Sequence, residues 1–205
     1  MFITFEGIEA AGKSTLIAAL ADDLRSNGVN VLLTREPGGT SLGDAIRRLV
    51  LAPGAVFDPL AEALLMNASR AQHVADVVGP ALRAGTTVLC DRFFDATLAY
   101  QGYGRGLDVE MLLELCLIAT QRISPDLTFL LDLAPEISRA RVQARGASDR
   151  LEGEELAFHA RVRAGYLDVA RRFPGRVVVL DAAMPAAEVA AQAHAVMAGR
   201  RAAKR

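Results

Sequence analysis

The sequence predicts an α/β fold, a parallel β-sheet with helices on both faces, and three observations predict it. Along most of the 205 residues, short apolar runs rich in β-branched residues alternate with longer alanine-rich stretches of helical spacing. Hydrophobic residues make up 52% of the chain, enough for one sizeable core, and no break in composition calls for a second domain. Between the first apolar run and the first helical stretch lies a glycine loop, GIEAAGKS at Gly7 to Ser14. In that order of strand, loop and helix, loose backbone N–H groups gather around phosphate, which makes the sheet one of the P-loop NTPase type.

MFITFE (Met1 to Glu6) reads as the first strand, and STLIAALADDLRSNG (Ser14 to Gly28) as a helix with a glycine stop. Further strands are expected at Val29 to Thr34, Thr86 to Cys90, Leu127 to Leu133 and Arg176 to Leu180, entered by right-handed crossovers. Ligands in such sheets gather at the carboxyl ends of the strands. Gly7 follows strand one, Arg35 follows strand two and Asp91-Arg92 follow strand three, so three polar clusters converge on one cleft. The whole chain, 1–205, is read as one domain with mobile parts. These are a lid around 141–152 and a frayed, solvated basic tail, RRAAKR, at 200–205.

Of the 23 lysine and arginine residues only two are lysine, and one of them, Lys13, ends the glycine loop. The stretch matches G-x-x-x-x-G-K-[ST], in which backbone N–H groups cradle phosphates, lysine reaches the outer phosphates and the hydroxyl, here that of Ser14, binds Mg²⁺. A net charge of −1 supplies no field suited to a long polyanion, so nucleic acid is not an expected partner and anion binding must be local. Cys90 and Cys116 lack C-x-x-C spacing and are too few for a disulfide scaffold, which suits a reducing cytosol. The first strand begins at Phe2 and no apolar run approaches a membrane span, so a soluble, cytoplasmic protein is expected. GTPases need an N-K-x-D base-reading motif, which the chain lacks, and motor ATPases usually end a strand on Asp-Glu, where this chain has Asp91-Arg92 and Asp132-Leu133. A strand-end Asp-Arg and an arginine-rich segment in the C-terminal third suit a kinase of nucleotides or small molecules, because a guanidinium grips phosphate in a fork.

Four further blocks carry a family resemblance: TREPGGT (Thr34 to Thr40), ASRAQH (Ala68 to His73), DRFFDATLAYQGYGRG (Asp91 to Gly106) and ARGASDRLE (Ala144 to Glu152). In order and spacing, from Phe2 to about Pro185, they resemble the signature blocks of the thymidylate kinases, within the nucleoside monophosphate kinase-like folds. The resemblance implies transfer of the γ-phosphoryl of Mg-ATP to dTMP, giving dTDP and ADP for dTTP synthesis, in a cytoplasmic homodimer. Helices around Leu60 to Val78 and Val109 to Thr120 offer faces for dimerisation.

With the family as guide, Gly7, Ala10, Ala11, Gly12, Lys13, Ser14 and Thr15 hold the ATP phosphates at the N-terminus of the first helix. Asp91 organises Mg²⁺ through water, with Glu6 and Glu152 as weaker candidates; an ion pair with an arginine is the other reading of Asp91. Arg92 is expected to grip the acceptor phosphate and Arg35 to border it, cancelling the repulsion between two anionic substrates. The acceptor needs no strong base, since a nucleotide monophosphate has its second pKa near about 6, so His73, His159 and His194 are read as surface or packing residues.

Met66 and Arg70 stand four apart on one helix face, where the resemblance has Arg70 bond the base edge and Met66 cover its face. Thr97 and Gln101 form another such pair with Tyr100 beside them, reading the pyrimidine and disfavouring a ribose 2′-hydroxyl, and Glu9 resembles the acid that contacts the 3′-hydroxyl. The family usually has phenylalanine at Met66, an aromatic or small residue at Asn67 and often serine at Ala96. These departures leave room for a P-loop kinase of another nucleotide or deoxynucleoside; a nucleotide-gated switch protein is the remaining alternative. With alanines at 10 and 11, the charge on the transferring phosphoryl must come from the lid, where Arg145 and Arg150 flank GASD (Gly146 to Asp149) and Arg141 is a third candidate. The stretch Asp181 to Pro185 sits where the family frames adenine.

Overall fold

A computed structural model describes residues 1–146 and 149–202. Five strands, β1 (Phe2–Glu6), β2 (Val31–Arg35), β3 (Thr87–Asp91), β4 (Leu127–Asp132) and β5 (Val177–Asp181), form one all-parallel sheet in the order β2-β3-β1-β4-β5. The central strands are continuous apolar runs because helices cover both faces, and Phe2, Phe5, Leu89, Leu127 and Phe129 are fully buried. Phe2 meets Phe93 edge-on at 4.9 Å between ring centres.

Register aligns the carboxyl ends. Arg35 pairs with Asp91, Phe5 with Asp91 and Phe129, and Asp132 with Asp181. Arg35 and Asp91 are thus the last residues of their strands rather than the first beyond them. At the other end β2 starts two residues later than expected, because Gly28, at φ 74°, turns the chain out of α1 (Lys13–Ser26) and the Val29 N–H closes that helix on the Leu24 carbonyl.

Helix α2 (Ser41–Leu51) is capped by Thr40, whose hydroxyl accepts from the Gly43 N–H, and α3 (Pro59–His73) by Asp58 with Pro59 at its first position. Helix α3 runs into a π-helical turn, Val74–Val78, before α4 (Gly79–Arg83). Pro80 has no N–H to give a regular helical ladder, and the wider turn accommodates it. A second π-helical segment, Leu98–Gly104, follows the short α5 (Phe94–Thr97), so Gln101 lies on a widened turn rather than on the regular helix that its spacing from Thr97 suggests. Then come α6 (Val109–Ala119), α7 (Pro135–Arg145), α8 (Leu156–Arg172) and α9 (Ala186–Ala202). Helix α9 continues through Arg200, which donates to the Gly175 carbonyl at 2.5 Å, so the tail expected to fray at Arg200 is helical to Ala202; residues 203–205 lie outside the described residues.

Asp95 on α5 is 1% exposed and is gripped by both Nη atoms of Arg176, at 2.6 and 2.7 Å; the guanidinium lies over Phe94 and Phe173. This pair pins α5, and the cavity wall that follows it, to the root of β5. Replacing Arg176 by alanine leaves a buried carboxylate without its countercharge and is expected to lower stability by about 3–5 kcal/mol in urea unfolding. A loss below about 1 kcal/mol would show that α5 is held by other contacts.

Candidate active site

A cavity of about 480 Å³ opens at the carboxyl ends of β1, β2 and β3. The glycine loop forms one wall. Gly7, at φ 135°, lies against β4, where a Cβ would stand 2.4 Å from the Leu131 carbonyl oxygen, so only glycine lets the loop leave the sheet this closely. Gly12 at φ 95° and Ala10 at φ 53° are left-handed, Ala10 being one of four such non-glycine residues among those described. Ser138 donates to the Glu9 carbonyl and Arg141 to the carbonyls of Ala10 and Ala182, which ties the loop to α7 and to the end of β5. Lys13 is buried and donates to the Gly7 and Ile8 carbonyls, both at 3.1 Å. Burial, then the neighbouring Arg92, pushes its ammonium down to about 8 against the pull of Asp91, Glu9 and Glu6.

Opposite the loop stands Arg92, at φ 67° just beyond β3. Its Nη1 donates to the Tyr166 hydroxyl at 2.9 Å, and its Nη2 to Glu9 Oε1 at 2.9 Å and the Tyr100 hydroxyl at 3.2 Å. Tyr100 in turn donates to Glu9, and Tyr166 to Glu6 Oε2. Burial works against the charges of both Arg92 and Glu9. The tyrosines, Glu9 and Asp91 nonetheless hold the guanidinium well above its ordinary value, while Arg92 and Lys13 hold the Glu9 carboxyl below its own. Three of five guanidinium N–H groups carry these bonds, and Arg92 lines the cavity. Glu6 does not line it: Phe93 N–H and Tyr166 occupy its oxygens, and burial, then Asp95, pushes its carboxyl up to about 8.

The far wall belongs to α3, α5 and the second π-helical segment. Met66, Arg70, Ala96, Thr97, Tyr100 and Gln101 all line it. Arg70 is 3% exposed and makes five hydrogen bonds, to Glu36, Asn67, Cys116, the Phe93 carbonyl and Thr97. A base edge can therefore be met either by an Nη2 N–H released from Thr97 or by the Thr97 hydroxyl proton, whose oxygen Arg70 already engages. Asn67, where the family often has another type, fixes Arg70 instead of facing the base.

The cavity thus gathers Glu9, Ala10, Ala11, Gly12, Lys13, Ser14, Thr15, Met66, Arg70, Asp91, Arg92, Thr97, Tyr100, Gln101, Arg145 and Glu152. Gly7 lies beneath the loop. Arg35 is half-exposed and near Asp44, at 3.6 Å; the border expected of it is occupied by Arg47, which donates to the Pro37 carbonyl. Arg150 also stands outside, donating to the Val50 carbonyl and to Glu62 and stacking over Phe57. Ala147 and Ser148 of the lid lie outside the described residues. Glu152 accepts from Arg145 and from the Asp149 N–H, so it ties the end of α7 to the segment after it. His73 is a buried packing residue with polar duties, its Nδ1 against Glu36 and its Nε2 against Thr34. His159 and His194 line no part of the cavity. Among residues not singled out from sequence, Glu36, which orients Arg70, lies inside the TREPGGT block, whereas Tyr166 and Glu62 carry no local signal.

The sequence profile of the thymidylate kinase family matches residues 5–193. A thymidylate kinase of Thermomicrobium roseum is 56% identical over 190 residues, spanning 92% of this chain and 90% of its own. One from Deinococcus radiodurans is 50% identical over 200 residues, spanning 98% and 97%. The crystal structure of thymidylate kinase from Ehrlichia chaffeensis is similar at a TM-score of 0.78 and 35% identity, covering 96% of this chain and 98% of that one.

The depressed Lys13 gives the site a pH dependence. Phosphate favours the charged ammonium, which the free protein loses as pH rises through about 8. Affinity for ATP, measured by calorimetry, is expected to fall about tenfold from pH 7 to pH 9. An affinity constant across that range would contradict the placement of Lys13.

Proposed function

The chain belongs to the thymidylate kinase family, and we propose that its cavity brings ATP and dTMP into line through the residues gathered there. The activity is that of an ATP-dependent nucleoside monophosphate kinase that phosphorylates dTMP. The observation that carries the reading is that a phosphate loop and a wall of fixed arginines share one cavity of about 480 Å³. On the donor side, the backbone N–H groups from Gly7 to Thr15 and the ammonium of Lys13 hold the ATP phosphates. Arg92 grips the acceptor phosphate with its remaining N–H groups, Arg47 borders it, and Glu9 with Tyr100 faces the sugar. Met66 lies on the base, and Arg70, Thr97 and Gln101 meet its edge. The acceptor oxygen is deprotonated at neutral pH, so positioning and charge neutralisation do the chemistry.

Among the described residues Asp91 Oδ1 is buried without a hydrogen-bond partner, and it shares the cavity with Ser14, a pair of hard oxygen donors that fits Mg²⁺. Among the described residues no group of three or more His, Cys, Asp and Glu is placed to hold a metal, which suits an ion that arrives with nucleotide phosphates and water. When bound, Mg²⁺ would neutralise charge on the phosphate oxygens. We assign the cytoplasm, since both cysteines are free and buried and no helix among the described residues is long and apolar enough to cross a membrane. The chain is proposed to be one domain and to form a homodimer through α3 and α6, where Leu60, Leu64, Met111 and Ile118 remain exposed.

A coupled ADP-release assay against dTMP, dUMP, UMP, dCMP, dGMP and thymidine tests the reading. Preference for dTMP, with dUMP weaker and UMP nearly inert, is expected; comparable rates on several acceptors would overturn the base recognition. In the lid, Arg145 is assigned to the transferring phosphoryl, and Arg150 anchors the lid's far end to Glu62. Arg145→Ala is expected to lower kcat at least about tenfold while KM for dTMP stays within about threefold. A kcat loss seen only for Arg150→Ala would reverse the two roles.

A further inference from the structure

Glu62 lies on α3, one turn before Met66, and is 1% exposed. It does not line the cavity, yet it accepts from Gln101 Nε2 at 2.7 Å, from Arg150 Nη2 at 2.6 Å and from Arg105 Nη2 at 3.5 Å. Both of its oxygens are engaged as acceptors, Oε1 by Gln101 and Oε2 by the two guanidiniums. The orientation of an amide is set by its partners, and here the partner leaves one choice: the NH₂ of Gln101 turns to Glu62. Gln101 lines the cavity, and its Oε1 has no hydrogen-bond partner among the described residues. The carbonyl oxygen is therefore what Gln101 offers to a bound base.

An acceptor at this place distinguishes pyrimidines. Thymine presents an N3–H donor beside its C4 carbonyl, while cytosine presents a bare N3 lone pair beside an amino group. Set between Gln101 Oε1 and the donors Arg70 and Thr97, thymine is complementary and cytosine is opposed at both atoms. Were the amide free to rotate, Gln101 could turn its NH₂ to cytosine N3 and half of that opposition would vanish.

We propose that Glu62 is a positioning residue for base selectivity: by holding the Gln101 amide it fixes an acceptor toward the base, so that bases with N3–H are taken and those without are refused. The inference rests on the reading that Gln101 faces the base of dTMP. Glu62→Gln tests it, because a glutamine at 62 can both donate and accept and so releases the amide while keeping shape. The ratio of kcat/KM for dTMP to that for dCMP is expected to fall at least about tenfold in Glu62→Gln and in Gln101→Ala. A fall in Gln101→Ala with no change in Glu62→Gln would overturn the role of Glu62 alone. No change in either would overturn the base reading of Gln101 and the proposal with it. Arg150→Met removes a partner of Glu62 without freeing Gln101, so its ratio should stay within about twofold of wild type. A fall as large as that of Glu62→Gln would place the effect in the lid and overturn the proposal. Should Glu62→Gln not fold, side-chain ¹⁵N NMR of the wild type decides, with the resonance assigned through Gln101→Ala. Gln101 amide protons slow to exchange with and without dTMP support the fixed orientation, and exchange as fast as an exposed amide in either state contradicts it.

Discussion

The acceptor half of the site depends on one buried interaction, the grip of Glu9, Tyr100 and Tyr166 on the guanidinium of Arg92. A cation this deeply placed is costly unless its N–H groups meet fixed acceptors, and here each acceptor is itself held. Tyr166 is anchored on Glu6, Glu6 also takes the Phe93 N–H, and Tyr100 stands on a π-helical segment whose start is pinned by the Asp95–Arg176 pair. The chain of bonds runs from β1 through α8 to the end of β3. On the proposed reading, the acceptor phosphate is met by an arginine whose direction these bonds fix.

The two walls of the cavity solve the anion problem differently. The loop wall relies on backbone N–H groups and on glycines that permit left-handed turns, with the ammonium of Lys13 resting on the Gly7 and Ile8 carbonyls. The opposite wall relies on side chains whose freedom has been removed, Arg70 by five hydrogen bonds and Gln101 by Glu62. Rigid donors and acceptors suit recognition of a base, whereas a reachable ammonium suits a phosphate that moves during transfer. Arg145 lines the cavity from a third direction, and its exposed position fits the part in phosphoryl transfer proposed for it.

Much of this was legible in the sequence because it depends on short-range order. The glycine loop, the strand ends at Arg35 and Asp91-Arg92, and the shared face of Met66 and Arg70 follow from periods of two and 3.6 residues and from one motif. What was not legible depends on register and distant packing. Arg35 and Arg47 are both arginines near the second strand, and only the path of α2 brings Arg47 to the cavity. Arg150 lies within the expected lid segment in sequence but meets α2 and α3 in space, because Val50 and Glu62 offer it acceptors. Tyr166 and Glu62 lie on ordinary amphipathic helices, where a buried polar residue carries no mark of its partner. The two π-helical turns likewise arise from Pro80 and from how the segment after α5 packs on α8, which residue spacing does not encode.

On the proposed reading, the buried network aims Arg92 at the acceptor phosphate. Calorimetric titration of dTMP and of thymidine into wild type and Arg92→Met measures it most directly, since the two ligands differ only in that phosphate. The wild type is predicted to prefer dTMP, with a preference at least about tenfold larger than that of a folded Arg92→Met variant. An equal preference in both proteins would contradict the account and assign the acceptor phosphate to Arg47 or Lys13 instead.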